Sequence, residues 1–302
     1  MKKSTKNLIL ILSILSFFIL SFVAVTYALG YKYDFVKNKF IKTGSLGITT
    51  NTASEAYLNN ELAGSTSFLG NAFSVRRLLP RTYDLRVQNE ESQAWQKLVE
   101  IDAGFFVDFP KIVLVLKSPI ETTLASASMN FKTNQILYFD SKENTLVFGN
   151  KQKVETIDLK SGKTSVVASD KIANILESYS SLSNKNNEII SPDGKKTVAY
   201  KEHEIRVSWL NNSSYQPYKN TGDSLLVTRS SQNINSIQWY KDSEHLIADV
   251  GGILKFIEID TRGGTNIFDI GENENGLFYY SENSNSVYKI SGKKIIQIIF
   301  EK

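Results

Sequence analysis

A chain of 302 residues has room for one large or two modest domains, since a typical domain holds roughly 100 to 200 residues. Hydrophobic residues make up 41% and charged residues 22%, which is the composition of a core-forming chain and excludes a disordered or fibrous protein. The net charge of +4 is spread without a lysine or arginine run, which argues against nucleic acid as a partner, and the absence of cysteine removes disulfides, thiol nucleophiles and cysteine-ligated metals together.

Lys2, Lys3 and Lys6 precede an uncharged stretch from Leu8 to Leu29 dominated by Leu, Ile, Phe and Val. At about 1.5 Å of rise per residue, roughly 20 apolar residues cross the ~30 Å hydrocarbon layer, so the stretch predicts a transmembrane helix. A secretory signal peptide begins the same way, but its apolar region runs about 7 to 15 residues. The competing reading is cleavage after Ala28, where Thr26 and Ala28 supply the small residues; apolar length favours a retained single-pass anchor in the cell membrane. Lys32, Lys37, Lys39 and Lys42 offset the leading lysines, and a long following domain translocates largely regardless of charge. The N-terminus is therefore expected inside and the bulk of the chain extracytoplasmic, with residues 1–41 forming a cytoplasmic stub, anchor and linker.

Residues 42–118 read as short alternating strands. Leu46 and Ile48, Ala56 and Leu58, and Leu85 and Val87 place apolar side chains two apart, as half-buried strands require. Asn59-Asn60 and Pro80-Arg81-Thr82 are turn candidates, and Val113 to Leu116 is expected to be the closing strand. About 75 residues with about seven strands predict a small β-sandwich with Tyr57, Tyr83 and Trp95 in its core. The order Gly44 to Thr49, Asn51-Thr52-Ala53-Ser54, Tyr57-Leu58-Asn59-Asn60, Gly64-Ser65-Thr66, Leu78-Leu79-Pro80-Arg81-Thr82-Tyr83 and Trp95 before Leu98 to Ile101 resembles the PEGA domain of bacterial and archaeal surface proteins. The resemblance covers about a quarter of the chain and departs from the family pattern at the tetrad, at Arg81 in place of glycine and at Glu91-Ser92.

Residues 119–302 change rhythm to strand meanders. The expected units are Ile136 to Asp140, Thr145 to Gly149 and Val154 to Leu159, closed by Lys160-Ser161-Gly162; Ile189 to Gly194, Lys196 to Tyr200 and Ile205 to Leu210; Ile237 to Tyr240, His245 to Asp249 and Leu254 to Asp260; and Gly276 to Tyr280, Ser286 to Ile290 and Lys294 to Phe300. The spacing lies near the 40 to 50 or so residues of propeller blades. Ser191-Pro192-Asp193-Gly194-Lys195 resembles the hairpin of TolB-like propeller blades, Trp239 to Ile247 looks like a diverged copy, and Asp260-Thr261-Arg262-Gly263-Gly264 resembles the blade-ending turn. The resemblance implies an all-β chain ending in a small or incomplete β-propeller-like region. The polar stretch Ser178 to Asn187 is expected to be an exposed loop.

Motifs for chemistry are missing. His203 and His245 lack the three or more converging ligands of a metal site and read as edge or turn residues. Neither a Gly-x-Ser-x-Gly elbow nor a phosphate-cradling glycine loop is present, and Gly271 to Gly276 lacks the ordered spacing of a calcium loop. No catalytic residue, metal or cofactor is assigned. The candidate binding residues are Trp209, Tyr215 and Tyr218, which cluster late in the second unit, because such rings stack on sugars or anchor protein partners and Tyr215 and Tyr218 flank Pro217 in a polar loop; Trp239 reads as core. The expected function is a non-enzymatic membrane-anchored surface or envelope protein that binds protein or glycan. The alternative is an envelope hydrolase with carboxylates in the propeller channel. A sensor would need a partner, since the residues before Leu8 leave no room for an output domain.

Overall fold

The computed structural model describes residues 3–67, 69–126, 136–140, 145–149, 153–158, 163–182, 188–274 and 277–302. It is mostly β, with one apolar helix at the N-terminus. That helix, α1 (Lys3–Ala28), exposes apolar side chains all round, and its segment Thr5–Ala28 is long and apolar enough to cross a membrane. Gly30, at φ +83°, ends it in the left-handed conformation that helix C-termini favour. A short hairpin follows, β1 (Tyr31–Asp34) and β2 (Lys39–Lys42). Thr43 closes its base by donating both its backbone N–H and its hydroxyl to the Gly30 carbonyl.

The next seven strands are β3 (Gly44–Thr50), β4 (Glu55–Leu58), β5 (Glu61–Ser65), β6 (Ala72–Leu78), β7 (Arg81–Gln88), β8 (Trp95–Ile101) and β9 (Phe106–Ile112). They form two sheets, ordered β6-β3-β9 and β5-β4-β7-β8. Apolar residues at alternate positions face inward: Leu46, Ile48, Ala56, Leu58, Leu85, Val87, Trp95, Val99 and Ile101 are all buried. Asn59 and Asn60 take φ +52° and +67°, the pair of positive values that a tight two-residue hairpin needs. Tyr83 and Trp95 lie in the core, but Tyr57 does not. It falls between the inward-facing Ala56 and Leu58, and its hydroxyl donates to Glu55 at 2.6 Å under the Arg86 guanidinium. The closing strand is β9 rather than Val113 to Leu116. Those four residues are a buried connection whose backbone bonds the Asn51 side chain, Gln93 and Phe300 instead of a sheet partner.

Beyond residue 119 come β10 (Ile120–Ser126), β11 (Ile136–Asp140), β12 (Thr145–Gly149), β13 (Val154–Asp158), β14 (Thr164–Val166), the helix α2 (Ser169–Leu182), β15 (Glu188–Ile190), β16 (Lys196–Lys201), β17 (Glu204–Trp209), β18 (Ser224–Arg229), β19 (Ile234–Trp239), β20 (His245–Val250), β21 (Ile253–Glu258), β22 (Ile267–Glu272), β23 (Phe278–Ser281), β24 (Ser286–Ser291) and β25 (Lys294–Ile299). The expected meanders of three strands are present, and each belongs to a sheet of four. β14, β18 and β22 complete the first three sheets. The fourth is completed by β10, which arrives from the start of the region and pairs antiparallel with β25. The segment Ser178 to Asn187 is not a continuous loop, because residues 178–182 finish α2; residues 183–187 lie outside the described residues, as do the Lys160-Ser161-Gly162 turn and Asn275-Gly276. Ile172 and Ile175, three apart, seat that helix on Val147, Val154 and Val167.

The Ser191 to Lys196 turn is built as its residue types dictate. Asp193 accepts from Ser191 Oγ at 2.7 Å and from the Lys195 N–H at 3.0 Å, while Gly194 sits at φ +70°. The diverged copy keeps the geometry with other residues: Asp242 accepts from the N–H groups of Glu244 and His245, and Ser243 takes the positive φ, +62°. A Cβ at 194 would meet no neighbour, so the penalty for a side chain there is backbone strain. We expect Gly194→Val to cost about 1–2 kcal/mol and to lower the melting temperature by a few degrees; an unchanged melting curve would contradict the turn conformation.

Candidate functional site: a buried charged seam

The edge strand β8 alternates inward and outward, and Lys97 falls in phase with Trp95, Val99 and Ile101. On β21, Glu258 falls in phase with the buried Leu254 and Phe256. Period two therefore aims one cation and one anion into the space between the sandwich and the C-terminal sheets, where they meet at 3.1 Å with almost no exposure. The ammonium's three protons are all used, on Glu258, the Asp260 carbonyl and the Gly264 carbonyl. Glu258 also accepts from Trp95 Nε1 at 3.2 Å and from Asn266 Nδ2 at 3.0 Å. Burial raises the Glu258 pKa, and Lys97 and His245 only partly counter it.

Around this pair the seam continues. Gly263 lets the turn after β21 lie against β8: Leu98 donates to the Gly263 carbonyl at 3.1 Å, and a Cβ on Gly263 would sit 2.0 Å from the Leu98 oxygen. Arg262 lies over the Phe109 ring at 4.3 Å and donates to Asp260, to Gln216 and to the Asp108 carbonyl. Gln216 reaches back to the Phe106 carbonyl at 2.8 Å and accepts from the Asp108 N–H. Lys111 of β9 donates to the Asp242 carbonyl. At the far end Glu301 gathers Asn51, Tyr240, Lys241 and Asn285, so a residue of the 51–54 turn is bonded to the end of the chain. One apolar cluster runs continuously across the seam, from Leu46 and Trp95 to Phe256 and Phe300.

His245 is neither an edge nor a turn residue. It opens the interior strand β20, stacks on Phe256 at 4.8 Å and pairs through Nδ1 with Asp242 at 2.7 Å. Burial opposes its charging, but the Asp242 carboxylate outweighs burial and raises its pKa, with Glu258 and Glu244 adding to the effect. Burial likewise opposes the charge on Asp242, and His245 outweighs it in the other direction, holding the carboxyl low. His203 is a turn residue facing the Gln232 carbonyl.

The three aromatic candidates part company. Trp209 is buried in the core of the second and third sheets, with the Lys219 ammonium near its ring. Tyr215 is half-buried, and its hydroxyl donates to Glu244, which also pairs with Lys196 at 2.6 Å. Burial and the charge of Glu244 push that phenol far above its ordinary range. Tyr218 alone stands out into solvent, 71% exposed. Where Phe109, Tyr215, Glu244, His245, Glu258 and Asp260 converge, the gap is only about 20 Å³, room for about one water. The arrangement can hold two bodies together, and it has no space for an organic substrate. Sequence reading passed over Lys97, Glu258 and Arg262; the available signal was a charged residue standing in phase with buried apolar neighbours.

No family model matches the chain, and no curated protein matches it. Among solved structures it is similar to the extracellular domain of a protein described as a one-component system from B. thetaiotaomicron, at 11% identity and TM-score 0.26, over 89% of this chain and 31% of that one. It is also similar to Hsv2 of Kluyveromyces lactis, at 11% identity and TM-score 0.28, over 76% of this chain and 64% of that one. The chain thus spans about a third of the first and under two thirds of the second, and likeness at this level carries no assignment.

Removing one member of a buried pair strands the other. Lys97→Met is expected to destabilise the chain by about 3–5 kcal/mol in chemical denaturation followed by tryptophan fluorescence, and adding Glu258→Met is expected to restore much of the loss. A single variant costing under about 1 kcal/mol would show that the pair holds nothing.

Proposed function

We propose that this chain is a non-enzymatic, membrane-anchored envelope protein, held by α1 as a single span with the bulk outside, that presents a rigid surface for protein or glycan contact. The sandwich is read as a PEGA-type module and the four C-terminal sheets as the blades of a small propeller. Supporting the second reading is the pairing of β10 with β25, the kind of join by which the first and last strands of a ring close it.

The observation that carries the proposal is the loop between β17 and β18. Tyr215 is tied to Glu244, and Gln216 to the sandwich and Arg262, so Tyr218 projects from a segment fastened at several points. A fastened, exposed aromatic loses little conformational freedom on binding, which is what a contact residue requires. At the seam's gap the carboxylates serve as structural partners, Glu244 with Lys196 and Tyr215, Glu258 with Lys97, and Asp260 with Arg262, which supports reading this gap as a joint; the hydrolase alternative concerns carboxylates in the propeller channel instead.

Because the chain has no cysteine, Asn220→Cys, exposed two residues from Tyr218, is a unique handle that leaves the contact residue in place. A membrane-impermeant, photoreactive maleimide applied to intact cells is expected to label it, to yield a protein or glycan adduct on illumination, and to leave the full-length mass in the membrane fraction. Labelling only after permeabilisation would overturn the outward orientation. A mass ending the leader near Ala28 would overturn the anchor, and efficient labelling without any adduct would overturn the binding surface.

A further inference from the structure

The hairpin β1–β2 leaves the end of α1 and turns back along it. Phe40 packs edge-on against Phe22 with ring centroids 5.9 Å apart, and Tyr33 bridges Phe40 at 5.2 Å to Phe35 at 5.0 Å. Phe22 lies six residues before the end of the span, about 9 Å back along the axis, while the span itself, about 36 Å long, exceeds a ~30 Å hydrocarbon layer by only about 3 Å at each end. A ring touching Phe22 is therefore about 6 Å inside the hydrocarbon boundary, within the depth of roughly 5–10 Å at which interfacial elements bury their apolar faces.

The rest of the hairpin suits that position. Phe35 and Val36 at the tip are 84% and 88% exposed, far more than any role inside the protein explains. Lys32, Lys37, Lys39 and Lys42 are exposed around them. Asp34, the hairpin's sole carboxylate, is buried and accepts from the N–H groups of Val36 and Lys37, shaping the turn. Beside the hairpin a cleft of about 340 Å³ carries Lys32, Arg77 and Arg81 against one carboxylate, Glu61. Arg77, at φ +60°, stacks on the Tyr27 ring at 3.7 Å and bonds its hydroxyl, fixing the sandwich to the last turn of the helix.

We infer that the β1–β2 hairpin is a membrane-interface element: Phe35, Val36 and Phe40 bed in the acyl region of the leaflet facing the rest of the chain, and the surrounding lysines and Arg77 take anionic lipid headgroups. Lysine stems are long enough to carry their charges up to the headgroup layer. The inference rests on the reading of α1 as a retained anchor. Its consequence is that the sandwich is held at a set height and tilt over the bilayer rather than swinging on a flexible linker.

The test uses full-length chain, one copy per nanodisc of phosphatidylcholine and phosphatidylglycerol, with a single cysteine carrying an environment-sensitive fluorophore. Three positions are compared: Val36→Cys at the hairpin tip, Phe18→Cys in mid-helix and Tyr218→Cys as the aqueous reference. The label at 36 is expected to be quenched at least twofold by lipids carrying a spin label on the upper acyl chain, to resist iodide, and to lose quenching when phosphatidylglycerol is omitted. If position 18 is quenched by lipid but position 36 behaves like position 218, the hairpin proposal fails while the anchor stands. If position 18 also stays in water, the anchor reading fails and the hairpin proposal with it. A label at 36 shielded from iodide yet untouched by lipid quenchers would mean that protein covers the tip, which also overturns the proposal.

Discussion

The contact between Lys97 and Glu258 fixes how the first two sheets and the C-terminal sheets meet. A buried ion pair contributes little net stability against apolar residues of the same volume, because both charges give up water. Its effect lies in position: any arrangement that slides β8 along the C-terminal sheets leaves a buried charge without its partner, at a cost of about 3–5 kcal/mol. Gly263 makes the close approach possible, the Lys97 ammonium spends its remaining protons on that same turn, and Trp95 and Asn266 hold the carboxylate in place. The polar seam and the continuous apolar core beneath it act together, one setting register and the other supplying cohesion.

Much of the fold was legible in the sequence, because period-two alternation and turn chemistry are local. The pairs Leu46 and Ile48, Ala56 and Leu58, and Leu85 and Val87 identified sandwich strands, and Ser191-Pro192-Asp193-Gly194 identified a turn whose bonds are those its side chains suggest. Legibility failed where the decisive partner is distant. Val113 to Leu116 is apolar because it is buried between two halves of the molecule, a reason that imitates a strand. The fourth sheet takes its last strand from residues more than 160 positions away, which no local pattern reveals. The second copy of the turn, Trp239 to Ile247, was legible as a diverged one, and Ser243 there takes the positive φ that Gly194 takes in the first.

The seam was the least legible part. A lysine in a strand reads as a solvated position unless its phase is compared with its neighbours, and even then the partner, 161 residues on, stays unnamed. Loop context was available for Tyr215 and Tyr218 beside Pro217, and Tyr218 is exposed; Trp209 stands at the end of a strand, where the second and third sheets enclose its ring. Burial is decided by which segments pack over a residue, and that information is spread across the whole chain.

These constraints describe a stiff object: a helix fit to span a membrane, a hairpin folded against it, a sandwich pinned to the helix end by Arg77, and C-terminal sheets locked to the sandwich. The most direct test is the distance between the two halves. In an otherwise cysteine-free chain, spin labels at Glu61→Cys on the sandwich and Ile190→Cys on the C-terminal sheets report it by pulsed electron resonance. A single narrow distance distribution, unchanged between detergent and bilayer, is the result a locked seam predicts; a broad or two-peaked distribution would show that the halves move independently and would contradict it.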